Sequence, residues 1–159
     1  MNFIADLHVH YKYSIATAKN LDLEHMYIAA QMKGITVVGT GDFTHPAWFE
    51  EIETKLQPAE NGLYKLQADI AAHFDAQVPT ACRRSVRFIL VSEISNIYKK
   101  DNKTRKNHNL VFMPSRREAK AFNDRLDRRG NIMADGRPVL GWVGINLLGS
   151  RLDGSGGGF

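Results

Sequence analysis

The sequence predicts an α/β fold in which parallel strands alternate with helices. Three observations carry this reading. The β-branched run at residues 35–38 reads as a strand buried on both faces, and residues 86–91 read as a further clear strand. Segments with helical apolar spacing and capping residues stand between them. Residues able to bind metal or move protons fall at the ends of those strands, where α/β folds gather function.

Residues 2–7, NFIADL, read as a short buried strand. Asn20, Leu21 and Asp22 offer helix caps, and Leu23, Met26, Tyr27 and Ala30 recur at helical spacing as far as Lys33. Gly34 stops that helix. Residues 35–38 form the second strand, with Gly39-Thr40-Gly41-Asp42 at its C-terminal end. Pro46 suits the first turn of a helix capped by Thr44 or His45 and running through Trp48, Phe49, Ile52 and Leu56. Residues 57–82 are less regular: Pro58 and Asn61-Gly62 signal turns, and 66–74 suits another helix. Residues 86–91 make the third strand, 99–106 (KKDNKTRK) a loop or hairpin tip, and 109–113 a fourth strand stopped by Pro114. Ser115 and Glu118 form a capping box ahead of Ala119, Phe122 and Leu126, and Gly130 closes that helix. Fewer than five βα units are present, too few to close a barrel. Five glycines in residues 149–159 oppose both helix and strand, so 142–159 reads as an irregular or truncated tail after a domain at 1–141.

A chain of 159 residues, 43% hydrophobic and 24% charged, fits one globular domain rather than a disordered one. No run is apolar enough to span a membrane, and the first residues lack the pattern of a secretory signal, so a cytoplasmic location is expected. The single cysteine, Cys82, excludes an internal disulfide and any zinc site built from several cysteines; it is given no role. Charge is uneven. Residues 83–129 carry fourteen Lys/Arg against five Asp/Glu, a balance of +9, while the remainder is at −5. That distribution permits a polyanionic partner without requiring one.

The chemistry concentrates in DLHVH. His8 and His10, two apart on a strand, share a face and can approach one ion, and Asp6 has the parity to orient an imidazole. A bare H-x-H is a weak motif. Context strengthens it: Asp42 ends the second strand, Glu93 the third, and His108 opens the fourth. Each has a bland alternative: a turn residue for Asp42, a lysine partner for Glu93, a core position for His108. Their joint placement along one edge is what those alternatives explain poorly. A buried carboxylate such as Glu93 is costly unless a cation stands beside it. Histidine and carboxylate ligands suit Zn, Mn or Fe better than Mg or Ca. Lys99, Lys100, Arg105, Lys106, Arg116 and Arg117 are candidates to follow a nucleic-acid backbone. Tyr11 and Tyr13 are suited to core packing or to stacking on a base.

The stretches ADLHVHYKYS, KGITVVGTGDFTHP and SEISNIY with RKNHNLV resemble the first motifs of the polymerase-and-histidinol-phosphatase (PHP) superfamily. They are most similar to its endonuclease Q branch and that branch's relatives associated with UvrD-type helicases. The resemblance runs from about Ile4 to about Gly141. It implies a partial, distorted (β/α)7 barrel containing its first four or so βα units. It also implies divalent metals (zinc, manganese or iron), with His8, His10, Asp42, Glu93 and His108 as ligands and catalytic residues. Complete relatives would hold two or three ions; this chain would hold at most one, weakly. The implied activity is nicking of DNA on the 5′ side of deaminated or abasic nucleotides, with a helicase or repair protein as a further partner. Two departures stand out. Phe43 follows Asp42 where the family has histidine, and His45 reads as a helix cap rather than a ligand. No histidine follows His108, although the family's later motifs contribute more of them, so this chain is expected to be weakly active or inactive. Two other functions fit the same motifs: a small-molecule phosphatase acting on histidinol phosphate or a sugar phosphate, and a non-catalytic module beside a helicase.

Overall fold

The computed structural model describes residues 2–14 and 20–128, and the backbone of 139–140. The order is β1 (Ala5–Asp6), α1 (Leu23–Lys33), β2 (Val37–Asp42), α2 (Pro46–Lys55), β3 (Leu56–Pro58), β4 (Leu63–Leu66) and α3 (Ala68–Asp75). A 3-10 turn (Thr80–Cys82) then leads to β5 (Arg87–Lys100), β6 (Lys103–Met113), α4 (Arg116–Asp127) and β7 (Val139–Leu140). The predicted tail at 142–159, the boundary at 141 and the closing Gly130 lie outside the described residues.

Local chemistry sets the helix ends. Asp22 caps α1 by accepting from the His25 N–H at 2.9 Å, and Gly34, at φ 76°, stops it. Pro46 opens α2, and His45 occupies its N-cap without a side-chain hydrogen bond, so that cap is one of position only. Ser115 accepts from the Arg117 N–H at 3.2 Å and its hydroxyl also meets the Glu118 carboxylate.

The expected parallel pairing holds for β1, β2 and β5, which pair in that order, and for β7 against β5. The other strands of the seven-stranded sheet are antiparallel: β4 joins β5, β3 joins β4, and β6 returns along β5. The molecule is therefore mixed α/β. The strand expected at 86–91 continues to Lys100, and the expected fourth parallel strand is the return arm of a long hairpin. Asp101 and Asn102, at φ 54° and 57°, form its two-residue tip, as a primed turn requires. The polar distal arms concealed these strands, because the outer half of the hairpin has no apolar face to alternate.

Residues 56–66, hard to read in sequence, form a second hairpin around Gly62. The first strand differs from expectation too. Only Ala5 and Asp6 pair, and Phe3 and Ile4 are 65% and 59% exposed, because among the described residues β1 is at the edge of the sheet with β2 as its one neighbour. The core is continuous from α1 through the sheet to α4, with Leu23, Trp48, Phe88, Leu90, Ile94 and Leu126 all but inaccessible. No helix among the described residues is long and apolar enough to cross a membrane.

Candidate metal centre

Parallel pairing of β2 with β5 places Asp42 opposite Val91, so the two acids at these strands meet. Asp42 Oδ1 accepts the Glu93 backbone N–H at 2.7 Å, and both side chains are 2% exposed. Two hydroxyls that sequence reading passed over also face Asp42: Ser92 reaches Oδ1 and Ser14 reaches Oδ2, each at 3.5 Å. Serine has no periodic or motif signal that would have exposed them.

The strand that follows β1 must cross close over β2 to deliver its histidines, and two glycines permit this. A Cβ on Gly39 would lie 3.0 Å from the Leu7 carbonyl oxygen and 2.6 Å from Val91 Cγ1. One on Gly41, itself at φ 73°, would lie 3.0 Å from the Val9 carbonyl oxygen. The carbonyls on either side of His8 thus rest on the glycines of GTGD. His8 Nε2 lies 3.2 Å and His10 Nε2 3.7 Å from the same oxygen of Glu93, Oε2, and His10 Nδ1 lies 3.8 Å from Asp42 Oδ2. Tyr11, fully buried and tilted over Trp48 at 4.9 Å between ring centroids, anchors the end of this segment in the core.

His108 arrives from another direction. It lies within β6 opposite Ser95, not at the opening of a fourth parallel strand as expected, because β6 starts at Lys103 and runs antiparallel to β5. Its Nδ1 nonetheless meets Glu93 Oε1. Three imidazoles therefore converge on one buried carboxylate, two on one oxygen and one on the other. Donor atoms of His8, His10 and Glu93 all lie within 4.8 Å of one another, the separation that ligands of a common ion need.

Burial is the main influence on Asp42; it pushes the carboxyl up to about 6, against the Glu93 N–H and His10, which lower it. A cation beside the pair would relieve that desolvation. Two buried carboxylates faced by half-exposed imidazoles fit a divalent ion of the zinc, manganese or iron type.

Other expected residues fall elsewhere. Asp6 accepts from the His8 backbone N–H at 3.4 Å rather than holding an imidazole. His45 stacks on Tyr13, with centroids 4.6 Å apart and planes at 9°, and burial lowers its pKa. Lys12 Nζ stands 5.2 Å from the Tyr13 centroid. Lys99, Lys100, Arg105 and Lys106 are exposed on the outer hairpin. Arg117 is 89% exposed, but Arg116 is spent on structure: its guanidinium donates to the Ile52 and Leu56 carbonyls at 3.1 and 2.5 Å and packs on Tyr64. Cys82 is partly buried and unbonded to sulfur.

Comparison with known proteins adds to this geometry. No family model matches the chain. An uncharacterized protein of Methanocaldococcus jannaschii is 42% identical over 48 residues, which are 30% of this chain and 6% of that protein. The lesion-specific endonuclease PfuEndoQ of Pyrococcus furiosus superposes over 86% of this chain with a TM-score of 0.62 and 25% identity. An endonuclease Q solved with a 27-mer duplex bearing an abasic lesion at its active site superposes over the same share, with a TM-score of 0.64 and 26% identity. This chain spans 28% and 29% of those two proteins. The fold is thus similar to that of a DNA endonuclease, over less than a third of its length.

Proposed function

We propose that this chain carries part of a metal-dependent endodeoxyribonuclease site of the endonuclease Q type, within a partial PHP-like barrel. Its substrate would be duplex DNA containing abasic or deaminated nucleotides, nicked on the 5′ side of the lesion. The observation that carries the proposal is the convergence of His8, His10 and His108 on buried Glu93, in a fold shared with endonuclease Q.

In this reading His8, His10 and Glu93 hold a divalent ion. His108 and Asp42, which both contact Glu93, would support it. Bound there, such an ion neutralises phosphate oxygens and makes hydroxide available near neutral pH. The chain's own part is positioning. Asp42 fixes the Glu93 backbone through its N–H, and the glycine-backed segment fixes the two histidines. Half-exposed imidazoles leave room for a phosphodiester to approach.

The test pairs metal titration with a nicking assay on duplexes containing a tetrahydrofuran abasic analogue or uracil, with Mn²⁺ or Zn²⁺. Uptake of a divalent ion and cleavage 5′ of the lesion, both lost in Glu93→Gln, are expected. Absence of metal uptake would overturn the proposal. Hydrolysis of histidinol phosphate with no affinity for duplex would overturn the DNA assignment while keeping the metal.

A further inference from the structure

The β5–β6 hairpin extends beyond the metal-site residues to an exposed, basic outer end, and the strand register sorts its side chains. Glu93 faces Leu110, Ser95 faces His108, Ile97 faces Lys106, and Lys99 faces Thr104, in unbroken antiparallel register. Side chains alternate along a strand, so residues two apart share a face. The Glu93–His108 contact fixes which face that is. Ser95, Lys99, Thr104 and Lys106 therefore stand on the metal-site face. Lys100, Lys103 and Arg105 stand on the reverse, with Asn96 and Asn107. Sequence proximity suggests otherwise, because Arg105 and Lys106 are neighbours in the chain.

Resting on the nuclease reading above, we infer that the metal-site face of this hairpin is a phosphate track, in which Lys106 and then Lys99 with Thr104 receive successive backbone phosphates of the strand held at the metal. Three features support it. Beyond Glu93 the face carries only ammonium, hydroxyl and apolar side chains, with no second carboxylate to repel a phosphate. Lys99, Thr104 and Lys106 are all exposed. Each two-residue step along β6 advances roughly 7 Å, which matches the through-space separation of neighbouring phosphates on one strand rather than their smaller axial rise. Lys106 is one such step from His108, and the Lys99–Thr104 pair is two. Phosphate contacts of this kind set register without reading sequence, which suits an enzyme that recognises a lesion. The basic side chains on the reverse face solvate the hairpin and take no phosphate.

The test compares two exposed lysines that differ in face but not in charge. Lys106→Ala and Lys103→Ala each remove one positive charge from the same arm. Fluorescence anisotropy would follow binding to a duplex with a tetrahydrofuran lesion across a salt series. Lys106→Ala is expected to weaken binding several-fold and to reduce the slope of log affinity against log salt by about 1. Lys103→Ala is expected to stay within about twofold of the parent, with its slope unchanged. Equal losses in the two variants, or a larger loss in Lys103→Ala, would overturn the face assignment while leaving the nuclease reading intact. A parent protein with no salt-dependent affinity for duplex would overturn both.

Discussion

Nε2 of His8 lies 3.2 Å from Oε2 of Glu93, a contact that joins residues 85 apart in sequence and closes the candidate metal centre. Glu93 is 2% exposed, and the other oxygen of its carboxylate meets His108. Glu93→Gln keeps the shape and removes the charge on which three imidazoles converge. Metal affinity is expected to fall on the order of 100-fold or more. The metal-free protein should melt at the same temperature or higher, because a buried charge has been removed. Calorimetric titration with Mn²⁺ or Zn²⁺ beside a thermal melt separates the two effects. Unchanged affinity would remove Glu93 from the centre.

Gly39 matters through space. An alanine Cβ there would meet Val91 Cγ1 at 2.6 Å and the Leu7 carbonyl oxygen at 3.0 Å. Gly39→Ala should cost roughly 1–3 kcal/mol by overpacking and weaken metal binding by lifting the residue before His8. Repeating the change in a Val91→Ala background tests the second part. The stability cost should shrink, since the worse contact is gone, while the loss of metal affinity persists. Recovery of both together would show that Gly39 serves packing alone.

Much of this was legible in sequence. The helices at 23–33 and 46–55 followed from caps and apolar spacing, and His8, His10 and Glu93 were named from their positions at strand ends. The hairpin was not legible as such. Residues 98–107 are mostly polar on both faces, so no alternation marks them as strand, and His108, which the sequence puts at the opening of a parallel strand, lies inside an antiparallel one. The same outward chemistry misled for Arg116. Arginine beside arginine after a proline reads as surface charge, and only the packing of α4 on β3 and β4 shows one guanidinium turned inward.

That inward turn has a measurable consequence. Arg116 donates to the Ile52 and Leu56 carbonyls, and its backbone N–H donates to the Tyr64 hydroxyl. Arg116→Met keeps the hydrophobic stem but removes the guanidinium donor from both carbonyls, of which that of Ile52 still accepts the Leu56 N–H. Urea unfolding should show a loss of about 1–3 kcal/mol. Arg117→Ala, whose side chain is 89% exposed, should stay within about 0.5 kcal/mol of the parent. If Arg116→Met is no less stable, the guanidinium is not the strap that joins α4 to α2.

Glu51 links the histidine segment to α2 and gives the fold a pH-dependent element. Its carboxylate meets Lys12 at 2.5 Å and Lys55 at 3.1 Å, and Lys55 in turn holds Glu24 at 2.9 Å. Burial works to raise the Glu51 pKa, but the two lysines outweigh it and hold the group below its ordinary 4.5. The unfolded chain therefore binds this proton more readily than the folded one, and stability from Glu51 rises with pH through that interval. It is complete above about pH 4.5 and disappears as pH falls through the lowered folded value. Glu51→Gln should lose about 1 kcal/mol at pH 7 and show a shallower decline in stability between neutral pH and pH 3. Because Lys12 lies two residues after His10, the variant should also loosen the delivery of that histidine and lower metal affinity modestly, whereas Glu53→Gln, exposed on the same helix and outside this network, serves as the matched control. Parallel acid-unfolding curves for parent and Glu51→Gln would show that the lysine contacts contribute nothing to the fold.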